Sequence, residues 1–229
     1  HAIEPCRKGS LALKAGNGAV DPQHSLLKAV LRIMRKLNLL SVVRRRRPYT
    51  RYQQAVHKYP NLLKRCFDQV KPNQFWVTDI TYIPLPSGML YMGAILDLCG
   101  KVVLAWKIGS DMSSSLVTDT IREALKQEKV TGGLALHSDQ GSQYTSQAYF
   151  DLTQEYHVSP SMSSPGCPYD NAAMENFFGT LKCEYLNRMQ FTNRDEVEAA
   201  VAEYMQFYNF ERINMENGLT PDEIRSKAA

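Results

Sequence analysis

The sequence predicts an α/β fold: a mixed five-stranded sheet flanked by helices, preceded by a basic helical N-terminal arm. Two observations predict it. Over residues 72–229 the periodicities run in the order three strands, helix, strand, helix, strand, helices. The charge also divides sharply: residues 1–71 carry 16 Lys/Arg against 3 Asp/Glu, and residues 72–229 carry 11 against 20. The division separates a basic arm and linker, residues 1–71, from a core with C-terminal helices, residues 72–229. A basic arm on an acidic domain suits a polyanion on the arm and cations on the domain. A basic tail on an ordinary acidic domain would give the same division.

Residues 1–20 show no clear period, and Gly9, Gly16 and Gly18 argue against a long helix there. Asp21-Pro22 reads as an N-cap followed by Pro at the first helical position. Leu27, Val30, Leu31, Met34 and Leu37 then form one apolar face, with Lys28, Arg32, Arg35 and Lys36 on the other side. Arg44, Arg45, Arg46 and Arg47 follow, and Tyr49, Arg51 and Tyr52 interleave aromatic with basic residues. This stretch suits phosphate contacts better than base reading; a solvated linker is the plain alternative. Residues 53–71 read as a short helix and a linker.

Pro72 opens the main domain. Residues 74–85, rich in β-branched and aromatic side chains, form a strand, and Pro86-Ser87-Gly88 turns it back. Residues 89–98 and 102–108 complete an antiparallel meander through the Cys99-Gly100 turn. Residues 114–128 are helical, with Leu116, Val117, Thr120, Ile121, Ala124 and Leu125 on one face, and Gly132-Gly133 closes that unit. A short buried strand at 134–137, a helix at 145–157 and a fifth strand at 158–162 follow. The loop 163–170 holds Pro165, Gly166 and Pro168. Helices follow at 171–186 and 194–210, with Pro221 near the end. If the fourth strand pairs beside the first, their ends meet in the middle of the sheet, where ligands commonly sit.

The gross numbers bound the class. With 229 residues and 44% hydrophobic residues, the chain holds one substantial core and a smaller appendage. At 22% charged residues it does not have a disordered composition. No apolar run approaches the roughly 18 residues of a membrane span, and no stretch reads as a secretory signal. The five cysteines are scattered, with no Cys-x-x-Cys pair, and read as free thiols in a reducing cytoplasm. The histidines show no zinc-like spacing with them.

Three acids stand out by placement. Asp79 interrupts a strand that is apolar on both alternating faces, Phe75-Trp76-Val77-Thr78-Asp79-Ile80-Thr81-Tyr82-Ile83. A carboxylate there is costly unless a metal ion, a salt bridge or several backbone N–H groups compensate it. Asp139 follows a short buried strand, just before a Gln140-Gly141 turn, a position equally common for a capping residue. Glu175 lies on a helix whose apolar face is Met174, Phe177, Leu181 and Tyr185; Gly179 and Lys182 share its other face. Alone, that stripe is an ordinary exposed surface. Together the three offer oxygen donors suited to Mg²⁺ or Mn²⁺, and two such ions suffice for phosphodiester displacement. Lys182 is placed to meet a phosphate. Asp97, just before the Cys-Gly turn, reads as structural.

Three segments carry a resemblance. Trp76-Val77-Thr78-Asp79-Ile80-Thr81, His137-Ser138-Asp139-Gln140-Gly141-Ser142-Gln143-Tyr144, and residues 164–178 around Asp170-Asn171-Ala172-Ala173-Met174-Glu175-Asn176 resemble the three acidic motifs of bacterial insertion-sequence transposases of the retroviral-integrase type. The 35 residues between Asp139 and Glu175 match the family's gap, and Lys182 its basic residue. Tyr208-Asn209, Arg212 and Leu219-Thr220-Pro221 resemble its C-terminal signature. The similarity covers about residues 30–225 and is closest to the second-frame product of two-frame elements.

The resemblance implies a ribonuclease-H-like fold and a DDE polynucleotidyl transferase. It implies metal-dependent cleavage at element ends and strand transfer by a 3′-hydroxyl. Asp79 would bridge two Mg²⁺ or Mn²⁺ ions, with Asp139 and Glu175 each completing one. Lys182 and the arm residues Arg44, Arg45, Arg46, Arg47 and Arg51 would contact DNA. The implied partners are element and target DNA, further copies of the chain on paired ends, and a helix-turn-helix protein from an upstream frame. The implied location is the bacterial cytoplasm, on the nucleoid, with no membrane association. Two departures stand. The family's Tyr/Gly/Arg-rich helical segment is not found in residues 1–25, so a truncated or atypical start is expected there. Ile213-Asn214 stands where many relatives have Pro-His. The rival readings are a ribonuclease-H-like nuclease that cuts without joining, and an inactive DNA-binding remnant.

Overall fold

The computed structural model describes residues 22–37, 57–130, 132–215 and 217–228. The chain divides into two compact units, His1–Thr50 and Arg51–Ala229. In the first, α1 spans Pro22–Lys36, with Pro at its first position and Arg35 and Lys36 in its last turn. That arrangement suits the helix at both ends: Pro lacks an N–H that would go unpaired, and the cations face the carbonyl end. Val30, Ile33 and Leu37 are exposed in this unit. The proposed Asp21 cap, the glycine-rich start, Arg44, Arg45, Arg46, Arg47 and Arg51 lie outside the described residues.

The second unit holds a five-stranded sheet in the order β3-β2-β1-β4-β5. The strands are β1 (Phe75–Leu85), β2 (Gly88–Asp97), β3 (Val102–Gly109), β4 (Ala135–Ser138) and β5 (Ser159–Met162). The helices are α2 (Ser114–Gln127), α3 (Gln147–Glu155), α4 (Ala172–Glu184), α5 (Arg194–Phe210) and α6 (Pro221–Lys227). β1, β2 and β3 form the antiparallel meander, while β4 pairs parallel to β1 and β5 parallel to β4. These elements agree with the periodicity reading in kind and order, with ends shifted by at most two residues, except α6, which that reading did not give: seven residues are too short to show a period, and the helix starts on the Thr220 cap and Pro221.

β1 is central because both its faces are apolar. Val77 points into a core with Met92, Ala94 and Leu96, closed by Met174, Phe177 and Leu181 of α4 and Val197 and Val201 of α5. Its neighbour Trp76 points the other way, to Ile95, Leu136, Val117 and Ile121 of α2, and Tyr149 and Leu152 of α3. Each such fully buried side chain contributes about 1.5–3 kcal/mol. The two cores place helices on both faces.

Asp97 is structural, as its position before the turn suggests. It is 0% exposed and accepts from Asn73 N, Cys99 N and Arg225 Nε at 2.9–3.0 Å. Arg225 also bonds Glu128, so α6 is fastened beside the β2–β3 turn. Gly100 sits in that turn at φ 74°, where a Cβ would collide with the Pro221 carbonyl.

Residues 57–71 differ from expectation. Charge groups them with the arm, but they pack on the sheet unit, with Leu63 1% exposed. Among their described residues there is no helix. Side chains take the backbone donors a helix would use: Lys64 N donates to Asn61 Oδ1 and Leu62 N to Ser161 Oγ. The four described cysteines are free. Among the described residues no helix is long and apolar enough to cross a membrane.

Candidate active site

Strand register brings the first two acids together. Val77 on β1 faces His137 on β4 in the parallel pair. Two residues further along each chain, Asp79 and Asp139 follow where β4 ends and β1 runs on beside β2. Asp79 Oδ1 accepts from the Ile80 N–H at 2.8 Å, and Asp139 Oδ1 from the Gly141 N–H at 2.8 Å. Gly141 makes this turn close: a Cβ there would stand 2.9 Å from Asp139 Oδ1.

Electrostatics shows that the two carboxylates sense each other. Burial, then the charge of Asp139, pushes the Asp79 carboxyl up to about 7 from 3.8; Glu175 pushes the same way, while the Ile80 N–H and Lys182 oppose it. Asp139 keeps an exposed side, yet burial of its inner side pushes its carboxyl up against the Gly141 N–H. Two like charges drawn partly out of water raise each other's protonation unless a cation joins them.

Glu175 is exposed in the first turn of α4, where a negative charge is favoured by the helix dipole. Its helix is anchored by Met174, Phe177 and Leu181 in the core. Lys182 lies further along α4, its Nζ 4.2 Å from the centre of the Tyr82 ring. Asp79 thus lies within electrostatic reach of Asp139, Glu175 and Lys182. The predicted arm arginines lie outside the described residues.

The donor set fits a hard divalent cation, being all carboxylate oxygen, with Asp79 and Asp139 already repelling. Among the described residues, no three His, Cys, Asp or Glu side chains converge closely enough to hold an ion.

Several supporting residues carry no signal in periodicity. The Thr78 hydroxyl donates to Ala94 O at 3.0 Å and lies 3.3 Å from the Tyr144 hydroxyl, tying β1 beside Asp79 to the Asp139 turn. Asn171 Nδ2 donates to Thr78 O at 3.4 Å. His137 is buried between the Ser161 and Ser163 hydroxyls at 2.8 and 3.1 Å. Burial lowers it to about 4, so it stays neutral and serves packing. Tyr144 and Asn171 fall inside the acidic motifs, but only the fold shows what they touch.

The family described as Integrase core domain matches residues 69–168, and a second family of the same description matches residues 175–228. The chain is 36% identical over 202 residues to the putative transposase InsK for insertion sequence element IS150 of Escherichia coli, covering 87% of this chain and 71% of that protein. It is 38% identical over 156 residues to the transposase for IS904 of Lactococcus lactis, covering 68% of this chain and 62% of the relative. Among solved structures, a chain of the simian T-cell lymphotropic virus intasome superposes with a TM-score of 0.61 at 16% identity, over 89% of this chain and 73% of that one. The HTLV-2 integrase catalytic core domain, solved with magnesium, gives 0.54 at 17% identity, over 68% of this chain and 97% of that domain. The fold is therefore that of the retroviral integrase cores, ribonuclease-H-like as the motifs implied.

Proposed function

Because the chain belongs to the integrase-core insertion-sequence transposases, we propose that Asp79, Asp139 and Glu175 are its catalytic residues, in a polynucleotidyl transferase that cuts DNA at element ends and joins a 3′-hydroxyl to target DNA. The observation that carries this reading is Asp79 itself: a carboxyl in the central strand, pushed to about 7 by burial and by Asp139. A fold would not keep that arrangement for stability.

Asp79, Asp139 and Glu175 would hold two Mg²⁺ or Mn²⁺ ions. Such ions, when bound, supply the positive charge that activates the attacking oxygen and stabilises the leaving one. The chain's own residues do the rest. Asp79 and Asp139 give up any proton they hold as they become ligands, so binding strengthens as pH rises through about 7. Lys182, steadied against Tyr82, meets a DNA phosphate. Arg44, Arg45, Arg46, Arg47 and Arg51 hold the DNA backbone without reading bases. In the joining step the 3′-oxygen forms a bond to the target phosphorus, and the broken strand leaves with its own 3′-oxygen. The chain acts as an oligomer on paired ends within the nucleoid, and a helix-turn-helix protein from an upstream frame supplies end recognition.

The test is a strand-transfer assay in Mg²⁺ or Mn²⁺ with labelled DNA ending in a pre-cut 3′-hydroxyl. Joined products that vanish with Asp139→Asn are expected. Nicks without joining would instead indicate a nuclease, and bound but unreacted DNA an inactive remnant.

A further inference from the structure

The loop leading into α4 is held from outside the three-carboxylate set. Asp170 is 3% exposed, and its carboxylate accepts three hydrogen bonds: from Arg65 Nε at 2.7 Å, Asn61 Nδ2 at 3.0 Å and Ser164 N at 2.9 Å. Burial alone would push this carboxyl up; the Ser164 N–H and the Arg65 guanidinium hold it below the usual carboxylate range.

Arg65 and Asn61 both belong to the segment leading into the sheet unit, and that segment is pinned. Leu63 is buried, Leu62 N donates to Ser161 Oγ at 2.9 Å, and Met162 N donates to Pro60 O at 3.2 Å. Lys64 and Arg65 adopt φ values of 47° and 63°, uncommon for residues with a Cβ and held only where surrounding contacts over-determine them. The turn is shaped so that the Arg65 side chain reaches Asp170. The next residue, Asn171, bonds Thr78 O beside Asp79. Glu175 lies four residues further on, in the first turn of α4.

We infer that Asp170 is a positioning residue for Glu175, and that Arg65 and Asn61 act through it to set where the first turn of α4 stands against β1. The inference rests on the reading of Glu175 as a catalytic residue. It gives the lead-in segment a part in the chemistry without contact with the reacting atoms.

The experiment compares the full chain with Arg65→Gln, Arg65→Lys and Asp170→Asn by hydrogen exchange, DNA affinity and strand-transfer turnover. In Arg65→Gln and Asp170→Asn, amides of residues 163–178 exchange at least about tenfold faster while those of α5 keep their rates. Turnover falls about 10–100-fold, as for other groups that orient catalytic ligands, at unchanged DNA affinity. Arg65→Lys restores most of both. Should Asp170→Asn fail to fold, Arg65→Gln carries the test, since its side chain is 53% exposed. Unchanged exchange over 163–178, equal acceleration in α5, or wild-type turnover despite local loosening would each overturn the inference. Full turnover in Glu175→Gln would sink the reading of Glu175 itself. Normal turnover in Arg65→Gln beside an inactive Glu175→Gln would sink only the positioning role.

Discussion

Asp79 is the residue at which the proposed function and stability part company. Its folded-state value of about 7 lies above the ordinary 3.8. A group so raised contributes stability fully below its ordinary value, and that contribution is lost as pH rises through the folded value. Without metal, the protein should therefore lose stability from pH 4 to about pH 7. Asp79→Asn removes the titrating group. Its stability gain over wild type should open above pH 4, reach on the order of 1 kcal/mol or more, and stop growing above about pH 7. Urea unfolding with a chelator across that range reads this directly, and a gap that does not widen would contradict it. The same variant should abolish strand transfer. Asp79 was legible in the sequence because a charge amid alternating apolar residues is a local anomaly. The Asp170 clamp was not: Arg65 lies 105 residues away in sequence, and nothing local marks the pair.

At the scale of elements, the sheet was legible for the same local reason. β1 reads as central because both its faces are apolar, and α5 (Arg194–Phe210) shows its helical period over its whole length. Residues 57–71 form no helix because Asn61 and Ser161 compete for their amides, and Ser161 is 99 residues from Leu62, so nothing local marks that competition. The pairing of β4 beside β1 depends on long-range contacts and entered only as a condition. Helix α4 offers a test of its outer face. Gly179 is exposed there, and a Cβ would meet nothing within 4 Å. Gly179→Ala should stabilise the protein by about 0.5–1 kcal/mol through lost unfolded-state freedom. Thermal unfolding checks this, and destabilisation would show a contact on that face in the folded protein.

At the scale of the molecule, charge and acid chemistry are divided between a basic arm and an acidic sheet unit. The division was legible by counting, but the proposed DNA contact on the arm has no site legible in the sequence, since repeated arginines suit a polyanion without fixing a geometry. Non-specific DNA affinity should fall steeply with salt. Replacing Arg44, Arg45, Arg46 and Arg47 with Ala should lower the magnitude of the slope of log K against log salt by about 2–4, near one unit per lost phosphate contact. Fluorescence anisotropy at several salt concentrations measures it; an unchanged slope would move DNA contact elsewhere.

The central claim is that Asp79, Asp139 and Glu175 form one divalent-metal site, and Mn²⁺ binding tests it most directly. Titration at pH 8, read by the resonance of free Mn²⁺, should show binding to the wild-type chain and at least about a tenfold loss of affinity in each of Asp79→Asn, Asp139→Asn and Glu175→Gln. Wild-type affinity retained in Asp79→Asn, or no binding by the wild-type chain with or without DNA, would contradict the account.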